Sequence, residues 1–173
     1  MLLEYGIQPD ILVCRTEHPI NTEIRKKIAQ FCNVNINSVI ESIDASTIYD
    51  VPNLMLEEKL DLVALQKLNL PEKSNPDLVQ WNEFLRKHKN PKNTVRIALV
   101  GKYVELQDSY KSILEAFIHA GANNETKVVV ESVHSEHIDP NNIAEKLGAF
   151  DGILVAPGFG ERGIEGKIAT VQY

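Results

Sequence analysis

The sequence predicts an α/β protein on parallel sheets, made of two incomplete domains joined by a helical linker. Three features predict it. Short apolar runs at residues 11–14, 97–100 and 152–155 read as buried strands. They alternate with longer segments of helical spacing, the order that gives strand–helix–strand crossovers and parallel pairing. The alternation breaks once, at a polar joint punctuated by prolines, and then starts afresh.

Residues 11–14 read as a strand covered on both faces, and the next segment is helical. Ile24, Ile28, Phe31 and Cys32 form its apolar stripe, opposite Glu23, Arg25, Lys26 and Gln30. A second short strand is predicted at 39–43, and residues 54–68 hold helical spacing with a break near Lys59. The text Leu-Pro-Glu-Lys-Ser-Asn-Pro at 70–76 is turn chemistry. Asp77 then stands where an N-cap would start a helix carrying Leu78, Trp81, Phe84 and Leu85.

The basic run from Arg86 to Lys92 suits a solvated helix C-terminus, which Pro91 stops. After it a buried strand at 97–100 ends at Gly101. Tyr110, Ile113, Leu114, Phe117 and Ile118 share one helical face, and a strand follows at 127–133. A short helix after Pro140 leads to a third strand at 152–155, which runs into Ala-Pro-Gly-Phe-Gly. In the last helix Ile164, Ile168 and Val171 begin an apolar stripe that meets no stop signal before Tyr173, the pattern expected of an element cut short. Sheets of the Rossmann-like or flavodoxin-like kind result from this order, and such sheets bind ligands at the carboxyl ends of their strands.

A net charge of −6 and the lack of a clustered basic surface argue against nucleic acid or an anionic membrane as partner. No segment approaches the roughly 18 consecutive apolar residues of a membrane span, and an acid interrupts the first residues where a signal peptide needs its apolar run. The expectation is a cytoplasmic protein. Cys14 and Cys32 sit in apolar segments and read as small core residues. With no Cys-x-x-Cys pair and five scattered histidines, no metal site is expected.

Few residues point to chemistry by pattern alone. Val100-Gly101-Lys102-Tyr103 lacks the first glycine and the hydroxyl of a phosphate-binding P-loop. Arg15, just past a strand, Lys27 on the following helix and Asp44 at the end of the second strand read either as surface charges or as nucleotide contacts. Pro157-Gly158-Phe159-Gly160 reads either as a plain turn or as amide donors for a developing oxyanion. No nucleophile elbow accompanies it. Arg162, Glu165 and Lys167 fit an anionic effector or the solvated first turn of a helix.

Longer strings carry more. GIQPDILVCR (6–15), KIAQFCNV (27–34), IYDVP (48–52), IALVGKYVELQDSYKS (97–112) and the segment 152–167 with APGFGERGIEGK resemble the CTP synthase family, in its order and near its spacings. The resemblance covers essentially the whole chain. It implies a central stretch of that family: residues 1–68 closing the synthetase domain, 69–93 an interdomain linker with a helix, and 94–173 opening a class I glutamine amidotransferase domain. The family aminates UTP to CTP with ATP, Mg²⁺ and glutamine, is activated by GTP and inhibited by CTP, and assembles as homo-tetramers.

By position, the resemblance gives Lys27 to the phosphates of UTP or CTP. It gives Arg15, Ile43, Asp44 and Ala45 to ATP, and Gly158 to glutamine. Lys102, Tyr103, Phe159 and Arg162 go to a lid or GTP site. Pro157 departs from a glycine common in the family and lacks its amide donor; Ile43 departs from a residue that is charged in some members. The P-loop and Mg²⁺ carboxylates are expected before Met1, and the nucleophilic Cys with its His and Glu beyond Tyr173. No catalytic residue or metal ligand is therefore expected within the chain, which alone should be inactive. The alternatives are a non-catalytic module pairing with intact subunits and a stand-alone nucleotide binder.

Overall fold

A computed structural model describes residues 2–72 and 76–173, which form two compact units, Met1–Asp77 and Leu78–Tyr173. The turn expected at 70–76 lies partly outside the described residues.

In the first unit β1 (Leu12–Thr16) pairs in parallel with β2 (Val39–Ile43), Leu12 opposite Val39 and Thr16 opposite Ile43. The crossover is α1 (Thr22–Phe31), capped by Asn21, whose side chain accepts from the Ile24 N–H at 2.9 Å. Two further helices, α2 (Val51–Glu57) and α3 (Leu60–Lys67), are separated at Lys59, whose left-handed φ of 59° produces the break the spacing predicts.

Three expectations for this unit are corrected. Strand β1 is not covered on both faces: Leu12, Cys14 and Thr16 are half-buried while Val13 and Arg15 are exposed, the alternation of a sheet packed on one side. On α1 the buried residue is Ala29; of the expected stripe Ile28 and Cys32 are half-buried, whereas Ile24 and Phe31 are exposed, because the helix docks through its small residue. Cys14 and Cys32 are free thiols and only half-buried.

Arg25 ties three elements of the unit together. Its guanidinium donates to the Val39 carbonyl at 2.6 Å and grips both oxygens of Glu58 at 2.7 and 3.2 Å. Glu58 also accepts from the Glu41 N–H at 2.8 Å. The hydrogen bond from Arg25, aided by that amide, holds the Glu58 carboxyl below the usual carboxylate range despite partial burial.

The second unit opens with α4 (Val79–Lys89). Leu78 rather than Asp77 occupies its N-cap position, with no side-chain capping bond, so the predicted cap is displaced by one residue. At the other end Arg86 lies 2.8 Å from Glu83 and 3.6 Å from Glu125; Arg86 and Lys89 are exposed, but Lys87 and His88 are half-buried, so the expected solvated end is only partly so.

The sheet of this unit has the order β4 (Thr126–His134), β3 (Asn93–Gly101), β5 (Gly152–Val155), all parallel. Strand β3 starts earlier than its apolar run, because its first residues pair with β4 from Asn93 onward. Ala98 and Val100 face a cluster with Ile138, Ile143 and Leu147, the last two on α6 (Ile143–Leu147). Leu99 faces Tyr110 and the apolar side of α5 (Lys111–Asn123), where Ile113 and Leu114 pack.

The last helix, α7 (Ile164–Gln172), docks through its small residues and leaves its apolar stripe exposed. Gly166 and Thr170 are its buried residues, and Ile164, Ile168 and Val171 are exposed. The reason is close approach: a Cβ on Gly166 would stand 1.8 Å from the Ser135 carbonyl oxygen, so only the glycine side of the helix fits there.

Two outcomes test this packing. Gly166→Ala should lower stability by about 1–3 kcal/mol, read as a shift of the urea midpoint, because the added methyl meets backbone. Arg25→Met should cost about 1–3 kcal/mol near neutral pH. The Glu58 contribution is complete above the ordinary glutamate pKa of ~4.3 and is lost as pH falls through the lowered folded value. Urea titrations at stepped pH should therefore show a shallower acid limb in the variant.

Candidate functional site

In the second unit the strand order reverses at β3. The next strand, β4, adds on one side and β5 on the other, so the crevice outside the carboxyl ends of β3 and β5 is the switch point where an open α/β sheet binds ligands. Gly101, Lys102 and Tyr103 leave β3 there, and 156–160 leave β5. The Ala156 N–H donates to the Val100 carbonyl at 2.8 Å and extends the pairing into the turn.

Sterics fix the β3 side. A Cβ on Gly101 would stand 2.4 Å from the Tyr110 hydroxyl, so the phenol packs directly on bare backbone. That hydroxyl accepts from the Tyr103 N–H at 3.2 Å. Lys102 is drawn under the turn and is only 6% exposed. Its Cε lies 3.0 Å from the position of a Cβ on Gly158, and its ammonium sits 5.1 Å from the Tyr103 ring centroid.

Two more cations converge on the same turn. The Lys167 ammonium donates to the Ala156 carbonyl at 2.9 Å. Burial, with repulsion from Lys102 second, pushes its pKa below the usual lysine range. Arg162 donates to the Lys102 carbonyl at 3.2 Å, pairs with Glu136 at 3.1 Å, and lies 5.8 Å from the Tyr103 ring. Among the described residues neither lysine has a carboxylate within ion-pairing distance. Gly160 and Gly163, at φ of 83° and 71°, give the turn its left-handed bends, and Phe159 is 96% exposed at its tip. The arrangement offers backbone amides, an aromatic face and excess positive charge, which suits an anionic or oxyanionic ligand.

In the first unit Arg15, Ile43, Asp44 and Ala45 line one concavity of about 340 Å³, together with Ser42, Thr47, Ile48 and Val51. Arg15 pairs with Asp44 at 3.0 Å, both side chains being largely solvated. Lys27 is exposed on α1 and lies outside the lining of that concavity. The structure thus gathers Arg15 with 43–45, and Gly158 with Lys102, Tyr103 and Arg162. Lys167, whose local pattern favours a solvated helix turn over an effector contact, instead joins the second group. Its signal was a lysine one residue after Gly166, at the start of a helix that follows a strand-end turn.

A parallel sheet with a glycine-rich turn flanked by cations at its switch point places this unit among the Rossmann-like or flavodoxin-like ligand-binding folds. Residues 105–173 match the family described as class-I glutamine amidotransferase, and residues 1–70 match the CTP synthase N-terminus. The chain belongs to the CTP synthase family. It is 73% identical over 172 residues to the CTP synthase of Flavobacterium psychrophilum, covering 99% of this chain and 32% of that protein. Identity is 70% to the Flavobacterium johnsoniae protein and 55% to that of Bacteroides fragilis, each with the same coverage. The chain spans about a third of the length of the curated relatives it matches.

Because Lys102 contributes to the lowered Lys167 pKa, Lys102→Met should return the Lys167 titration part of the way towards the usual lysine range. Lysine side-chain NMR across an alkaline pH series measures it; an unmoved Lys167 would mean that burial alone causes the shift.

Proposed function

We propose that this chain is a central stretch of an enzyme that aminates UTP to CTP, using ATP and glutamine as nitrogen donor. The observation that carries it is the continuity of the match: 73% identity over 172 residues, running from a synthetase segment through the joint into an amidotransferase segment. Residues 1–68 then close the synthetase domain, 69–93 form the linker, and 94–173 open the amidotransferase domain.

The ligand assignments belong to the same reading. Arg15, Ile43, Asp44 and Ala45 meet ATP. The concavity they share combines apolar Ile43, Ile48 and Val51 with Asp44 and Ser42, a lining suited to a base and ribose; with a single arginine it is too poor in cations for a triphosphate. Lys27, exposed on α1, offers a point charge to the phosphates of UTP, or of CTP as feedback inhibitor. Gly158 presents its backbone to glutamine. Lys102, Tyr103, Phe159 and Arg162 receive the activator GTP, with the buried ammonium for phosphate and the exposed Phe159 ring for stacking.

Among the described residues no group of three His, Cys, Asp or Glu could hold a metal ion, so the Mg²⁺ that accompanies ATP is assigned no ligands here. The remaining catalytic groups, including the nucleophilic cysteine, belong in this reading to other parts of the protein. Assembly is a homo-tetramer in the cytoplasm. No described helix is long and apolar enough to cross a membrane.

The full-length protein should convert UTP to CTP when given ATP, Mg²⁺ and glutamine, with GTP stimulating the glutamine-dependent rate. The pure 173-residue chain should show neither glutamine hydrolysis nor CTP formation, and turnover by it would overturn this division of labour. Lys102→Ala in the full-length protein should reduce GTP stimulation about tenfold or more, the loss expected of one charge-assisted phosphate contact. The ammonia-dependent rate should stay unchanged.

A further inference from the structure

We propose that Lys167 is a positioning residue for the turn after β5, an inference that rests on reading this turn as the glutamine-site loop. Ala156, the last residue before the turn, is 2% exposed and held from two sides. Its N–H donates to the Val100 carbonyl of β3 at 2.8 Å, and its carbonyl accepts from the Lys167 ammonium of α7 at 2.9 Å. These two bonds fix the planes of the peptides on both sides of Ala156.

Pro157, the next residue, magnifies their effect. It has no N–H and a nearly fixed φ, so the path of the chain through it is set by the peptide that enters it. The first amide donor after Ala156 is therefore that of Gly158, and its direction depends on where the Ala156 carbonyl is held. The turn is also fitted around the lysine: a Cβ on Gly158 would stand 3.2 Å from the Lys167 nitrogen and 3.0 Å from Cε of Lys102. A hydrophobic side chain at 167 would leave the buried Ala156 carbonyl without its donor. An ammonium retained beside a second ammonium is thus explained by the carbonyl it holds.

The test uses the full-length protein with Lys167→Met and Lys167→Arg. Hydrogen–deuterium exchange is followed in peptides covering 153–160 and, as reference, 126–134. In Lys167→Met the 153–160 peptide should exchange at least about threefold faster with 126–134 unchanged, since only local opening is released. Lys167→Arg, which can still donate, should restore most of the protection. Unchanged exchange at 153–160, equal acceleration at 126–134, or no rescue by arginine would each overturn the proposal.

Glutamine hydrolysis supplies the second arm. Lys167→Met should lower kcat about tenfold with KM for glutamine within about twofold, the split expected when a donor is misaligned rather than lost from substrate binding. Faster exchange at 153–160 with unaltered kcat leaves Lys167 as the anchor of the turn and overturns instead the placement of glutamine there.

Discussion

The second unit depends on one constraint, the complete enclosure of the end of β3. Strands on both edges and side chains on both faces leave Ala98, Leu99 and Val100 without solvent contact. A strand so enclosed cannot slide or twist to accommodate the residues beyond it, and so Gly101 and Lys102 emerge at a fixed point. The packing of Tyr110 on Gly101 then closes the space that any side chain at 101 would need. Lys102 has no route outward at its root and is turned beneath the β5 turn, and this is why a lysine is buried at all.

The chain treats its buried and half-buried cations in two ways. Arg25 in the first unit meets a carboxylate in a bidentate grip and a backbone carbonyl besides, so its charge is answered within the fold. Lys102 and Lys167 in the second unit are answered only by an aromatic face and one carbonyl. Partial burial of two like charges is unfavourable unless something compensates it. An overall charge of −6 shows that this is a local concentration and not a basic protein's average. The first arrangement is structural cement, and the second is a place with capacity for an anion.

Most of the architecture was legible because it is periodic. The strands β2 and β5 fall where the apolar runs place them, and the helix break at Lys59 shows in the spacing of Leu54 to Leu68. Helix orientation was less legible. On α1 Ile24 and Phe31 are turned out while Ile28 is half-buried beside the buried Ala29, and on α7 Ile164, Ile168 and Val171 are turned out while Gly166 and Thr170 are turned in. Apolar periodicity reports which residues repel water, but close docking is decided by which side of a helix is small, and Gly-x-x-x-Thr reads as nothing in particular until Ser135 is seen against it. The candidate sites divide likewise. Arg15 and 43–45 meet because both lie at paired strand ends, whereas Lys167 meets Ala156 through a tertiary contact that no local pattern announces.

Pro157 sits where the enclosed strand end and the uncompensated lysines meet. A proline in a turn expected to present amide donors looks like a defect, since it removes one donor and stiffens the path. Its neighbours limit the loss. The preceding amide, that of Ala156, is already committed to the Val100 carbonyl, and the preceding carbonyl is committed to Lys167. A glycine at 157 would give the backbone freedom between a rigid strand end and a turn whose next bend, at Gly160, needs a left-handed φ of 83°. Proline removes that freedom from the unfolded chain as well as the folded one. The donor set is narrowed to Gly158 and its successors, and their direction is handed to the strand end and the lysine that hold Ala156.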